Sequence, residues 1–169
     1  MTDPAQWLNM HFEGWSNLTP QEKKAIRDFP ILWSIFELQA TGQNGEPPNA
    51  TPERICRAIE NLTADIDENG IQQAKHYFSG RYYNDNGQGT YAFDQLRVSS
   101  RYQQHVRNAL LEVDVSSQNI LLGLLLIINR LRNNFLHGEK ASYAFANQLE
   151  NFRHANSVLM FAIPLWDTP

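Results

Sequence analysis

The chain has 169 residues, 42% of them apolar and 19% charged, with a formal net charge of −4 and one cysteine, Cys56. That length buries a core without staples, and one cysteine excludes a disulfide framework or a cysteine metal cluster within the chain. The longest apolar run, Ile120 to Ile128, is less than half of the ~20 residues a membrane span needs, so it reads as a buried helix.

The length predicts one domain over 1–169, with residues 1–18 as an N-terminal extension packed on it. The opening MTDPAQWLNMHFEGW carries early acids and no apolar run, so it does not read as a signal peptide. With the lone cysteine, this predicts a reducing, cytoplasmic setting and no membrane association. Charge is unevenly spread. Residues 1–96 hold 7 Lys/Arg against 13 Asp/Glu (−6), residues 97–140 hold 6 against 3 (+3), and residues 141–169 hold 1 against 2 (−1). The basic middle is consistent with a footprint for phosphate and equally with ordinary scatter.

Trp7, Phe12 and Trp15 lie in the extension, which predicts a short helix folded back on the body. Thr19-Pro20-Gln21-Glu22 is a helix start: a capping Thr, Pro at the first helical position, acid in the first turn. Ile26, Phe29, Trp33, Phe36 and Leu38 follow at roughly helical spacing, with Pro30 expected to kink or divide the helix. Residues 41–49 (TGQNGEPPN) read as a loop. Thr51-Pro52-Glu53 starts a second helix, with Ile55, Ala58, Ile59, Leu62 and Ile66 on one face. Residues 71–83 read as helix with Gly80 near its end, and residues 84–90 (NDNGQGT) as a turn-rich loop. Residues 101–112 form the next helix, with Val106, Ala109, Leu110 and Val113 on one side. Ser116-Ser117 caps the most apolar helix, about 118–136, which Gly138 stops. A last amphipathic helix covers 142–163 along Phe145, Leu149, Phe152, Asn156, Leu159 and Ile163. No stretch alternates as a strand does. The fold class predicted is all-α, an antiparallel bundle of about five to seven helices with short connections.

The chemistry-bearing stretch is Ile127 to Lys140, I-I-N-R-L-R-N-N-F-L-H-G-E-K. An apolar helix turns abruptly polar, so its end is directed out of the core. Arg stays charged and clamps phosphate oxygens. His exchanges a proton near neutral pH. Asn donates to phosphate or orients the ring. Arg132-Asn133-Asn134-Phe135-Leu136-His137 resembles the signature of the HEPN superfamily, an Arg, a polar residue, a spacer and a His. Trp33-Ser34-Ile35-Phe36-Glu37 is similar to that family's aromatic-rich early helix, in which an acid often faces the signature Arg. The likeness covers 130–140 well, 31–38 moderately and the rest only in helix order. Arg130 also matches His137 at a longer spacing, and Arg132 is preferred because Asn133 follows it.

The resemblance implies an HEPN-like bundle and metal-independent cleavage of single-stranded RNA or tRNA by a homodimer, in the manner of a toxin or antiviral-defence effector. Under it Arg132 and His137 are catalytic, and Asn133, Glu37 and Arg130 bind substrate or support the site. His137 exchanges the proton of the 2′-hydroxyl or leaving oxygen and Arg132 stabilises phosphate charge. The products are a 2′,3′-cyclic phosphate and a 5′-hydroxyl, with no cofactor, and an antitoxin or other regulatory protein is a possible partner. The alternative is a non-catalytic HEPN bundle that binds a nucleotide or a protein; a third is a structural bundle with a chance likeness. Without the resemblance, His137 before Gly138 fits a purely structural helix end, and Glu37 an ordinary solvated or paired acid. His11, His76, His105 and His154 lack ligand spacing, so no metal site is predicted. Arg101 and His105 read as a surface pair. Tyr77, Tyr82, Tyr83 and Tyr91 fit base stacking and, more simply, packing. Cys56 reads as an inert buried thiol.

Overall fold

The structure, a computed structural model, describes residues 3–42, 47–136 and 148–166. Its first helices are α1 (Pro4–His11), capped by Asp3, and α2 (Glu13–Ser16). Nothing in α1 is buried, but Trp15 and Leu18 are, and they tie the extension to the body. In α3 (Pro20–Thr41) the predicted start is a full capping box. The Glu22 carboxylate accepts from the Thr19 N–H at 2.8 Å, and the Glu22 N–H donates to the Thr19 hydroxyl at 3.2 Å.

Pro30 does not divide this helix, which runs uninterrupted to Thr41. Proline removes one ladder bond, but Pro30 is exposed, while Phe29 and Trp33 beside it are buried and pull the two halves onto the same core. The predicted apolar stripe holds at Ile26, Phe29, Trp33 and Phe36 and ends at Ala40. Leu38 falls off it and is 54% exposed.

Thr51 caps α4 (Pro52–Glu60). Leu62 and Ile66 are buried as expected, but from the connection that follows. After α5 (Asn69–Tyr82), Asn84 closes the turn-rich loop by accepting from the N–H groups of Asn86 and Gln88, and Gly87 supplies a φ of +68°. A short helix that the sequence pattern did not reveal, α6 (Tyr91–Leu96), follows the loop. In α7 (Ser100–Leu111), Val106, Ala109 and Leu110 are buried, whereas Val113 lies past the helix end, 92% exposed.

Ser116 accepts from the Asn119 N–H at 3.3 Å and so begins α8 (Ser117–Leu136). Every residue from Ile120 to Asn129 is buried, which makes α8 the central helix. Its neighbours are α4, α5, α6, α7 and α9 (Leu149–Ala162). Contact with α7 is close because Gly123 lacks a Cβ, which would fall 2.2 Å from that of Ala109. The pair α3 and α9 is joined by the Phe29 and Phe152 rings, 5.1 Å apart, and by the Asn156 amide donating to the Ala25 carbonyl at 3.0 Å. A 3-10 turn, Ile163–Trp166, brings Trp166 against Phe36.

The fold is therefore an all-α bundle, as predicted, with nine α-helices among the described residues; the short α2 and α6 extend the expected number. No described helix is long and apolar enough to cross a membrane. Residues 142–147 of the predicted last helix, with Phe145, and residues 43–46 of the predicted loop lie outside the described residues.

Candidate functional site

The end of α8 distributes its polar residues by helical phase. Arg130 and Asn134, one turn apart, face α6. The Arg130 Nε donates to the Leu96 carbonyl at 3.1 Å, its Nη2 reaches the Asn134 Oδ1 at 3.5 Å, and the Asn134 amide donates to the Gln95 carbonyl at 3.3 Å. These carbonyls close α6, so the guanidinium sits where helix ends need donors and favour positive charge.

Arg132 is turned toward α3 instead. Its guanidinium lies over the Trp33 ring, 5.9 Å from the centroid. Its Nη1 donates to the Asn133 Oδ1 at 3.0 Å. The Asn133 amide reaches the Asn129 Oδ1 at 3.4 Å, and buried Asn129 donates to the Ala50 carbonyl at 2.9 Å. The Ala50 N–H in turn donates to the Glu37 carboxylate at 2.8 Å. A polar chain thus runs from Arg132 to Glu37 through two asparagines and the residue before the α4 cap.

Arg132 and Glu37 also line one cleft, with Phe29, Trp33, Ser34 and Phe135 among its walls. Its volume is about 160 Å³. That is well below the roughly 300–1,000 Å³ of sites that enclose a whole small molecule. Its lining is mostly apolar, with Ser34, Glu37 and Arg132 as the polar residues. Trp33 is 3% exposed, and its Nε1 is buried without a hydrogen-bond partner among the described residues.

The site residues expected from sequence therefore separate. The structure brings Arg132, Asn133 and Glu37 together and places Arg130 on another face of α8. Glu37 faces Arg132 across the cleft without a direct ion pair among the described residues. His137 lies outside the described residues; in sequence it follows Leu136, which borders the cleft. Sequence reasoning did not single out Asn129. Its signal was available: a polar residue ending a nine-residue apolar run, one helical turn before Asn133.

Of the other candidates, Tyr82 and Tyr83 are core residues, Tyr91 is 76% exposed, and Tyr77 stacks on His154 with ring centroids 4.3 Å apart. Cys56 is half-buried; burial, then the Glu60 charge, pushes its thiol pKa up, the reverse of an activated nucleophile. The Arg101 guanidinium lies over its neighbour Tyr102, and both line a shallow groove with His105, Glu53 and Glu60. Among the described residues, no group of three or more His, Cys, Asp or Glu is placed to hold a metal ion. Compared with protein-family models, curated proteins and solved structures, the chain matches none.

Proposed function

We propose that this protein is a metal-independent endoribonuclease of the HEPN type, working as a dimer in the manner of a toxin or defence effector. The observation that carries the reading is the presentation of Arg132. Of two arginines that fit the signature, one is consumed by the end of α6, and the other is held on Trp33 in a small cleft. Arg132 then neutralises charge on the phosphate, and the Asn133–Asn129 chain fixes its direction. His137 exchanges the proton of the attacking 2′-hydroxyl or the leaving 5′-oxygen. Glu37, tied to the Ala50 N–H, keeps the cleft from being purely cationic. Pairing is supported by Ile31, Ile35 and Leu38, an exposed apolar row one position along α3 from the cleft residues Pro30, Ser34 and Glu37.

The test is cleavage of single-stranded RNA and tRNA in EDTA by the wild type, Arg132→Ala and His137→Ala, with oligomeric state measured on the same samples. Cutting by the wild type alone, leaving 2′,3′-cyclic phosphate ends, is the expected result. Intact RNA with all three proteins overturns it. The same apolar row favours the second reading, a non-catalytic bundle that docks a protein, which tight protein association without RNA affinity supports.

A further inference from the structure

Glycine weakens a helix relative to alanine, so a glycine within a helix calls for a reason. At Gly123 the reason is the Ala109 methyl, and at Gly70 it is the Phe161 ring, 2.4 Å from where a Cβ would stand. Gly80 in α5 has no such reason. Its φ is not positive, and an added Cβ would meet nothing within 4 Å. Neither the backbone nor the packing of the fold requires glycine there.

The space above Gly80 is a broad, open groove between α5 and α9 of about 710 Å³. Gln72, Gln73, His76, Tyr77 and His154 line it with Gly80, and no Asp, Glu, Lys or Arg does. Tyr77 and His154 form a stacked pair, tilted by 15°. The Tyr77 hydroxyl donates to the Asn151 Oδ1 at 3.0 Å, which fixes the platform. Gln72 is held by Glu68, whereas the exposed Gln73 and His76 have no hydrogen-bond partner among the described residues.

We infer that this groove binds a planar, uncharged heteroaromatic ring of the nucleobase class. The ring extends the Tyr77–His154 stack over Gly80, and Gln73 and His76 meet its polar edge. Aromatic platforms take any base by its face, amide and imidazole groups supply both donors and acceptors, and the Glu150 carboxylate, 3.7 Å from the His154 Nε2, disfavours phosphate. That the ring belongs to RNA rests on the ribonuclease reading; ring binding itself does not.

The experiment titrates the full chain with free adenosine, cytidine and uridine and with a single-stranded 2′-deoxy oligonucleotide, following the Tyr77 and His154 side-chain resonances. Saturable shifts are expected with at least one nucleoside and with the oligonucleotide. Gly80→Leu fills the groove and is expected to weaken this binding at least tenfold while keeping the fold. Gly80→Ala is expected to raise Tm, because nothing in the fold opposes a methyl there. No saturable shift in the wild type, or equal affinity in a folded Gly80→Leu variant, overturns the inference. RNA cleavage without groove shifts sinks the groove alone; groove shifts without RNA cleavage sink the ribonuclease reading alone.

Discussion

Arg130 and Arg132 stand two residues apart on α8, and their guanidinium groups serve different neighbours: one the carbonyl end of α6, the other the Trp33 face. Two positions on a helix are about 200° apart, so one side chain completes the fold and the other lines the cleft.

The first prediction follows directly. Arg130→Ala removes a donor to the Leu96 carbonyl and its bond to Asn134, and is expected to cost about 1–3 kcal/mol, with lower Tm. Arg132→Ala, which loses the Trp33 face and the Asn133 bond, is expected to lower Tm less than Arg130→Ala does and to abolish RNA cleavage. Thermal melts and cleavage assays on both variants check the split, which fails if the two lose stability equally.

Asn129 is the buried centre of the polar chain. Asn129→Leu strands the Ala50 carbonyl and leaves Asn133 without its acceptor, an expected loss of about 1–3 kcal/mol in urea unfolding. It also frees Arg132, so cleavage is expected to fall further than the loss of folded protein explains.

Gly123 admits no side chain. Gly123→Val drives its branches into Ala109, and overpacking of this kind costs typically ~1–3 kcal/mol. Calorimetry on Gly123→Val and on the double variant with Ala109→Gly is expected to show partial rescue; no rescue means the strain lies elsewhere.

His154 supplies the pH dependence. Burial, outweighing the nearby Glu150 charge, holds its pKa below the ordinary 6.5. The folded state therefore takes up this proton at lower pH than the unfolded chain. The contribution of neutral His154 to stability is complete above pH 6.5 and is lost as pH falls below it, because the unfolded state protonates first. Melts from pH 7.5 to 5 are expected to show a steeper decline for the wild type than for His154→Gln.

Much of this was readable in advance. The Thr19 capping box and the start at Thr51 depend on neighbours a few residues away, so the sequence exposes them. The buried span of α8 is legible because no other position suits nine apolar residues. Two features lie beyond local sequence: the passage of α3 through Pro30 without division and the loss of Leu38 from its stripe depend on how Phe29, Trp33 and Ala40 meet distant helices. In the same way, six residues were too few for α6 to show a period, and its Arg97 cap, at φ 56°, is a conformation seldom taken by residues other than glycine. For the site, the resemblance nominated Arg132, His137, Asn133, Glu37 and Arg130, and its spacing left two arginines open. The position of α6 gives those two different neighbours.

The placement of α8 has a consequence for how the protein fails. Helices at the rim open and close alone, whereas one enclosed by its neighbours exchanges its amide hydrogens only when the molecule comes apart. The span Ile120–Asn129 of α8 is enclosed in this way, and Arg132 stands less than a turn beyond it, toward the helix end, where amides open more readily than at the centre.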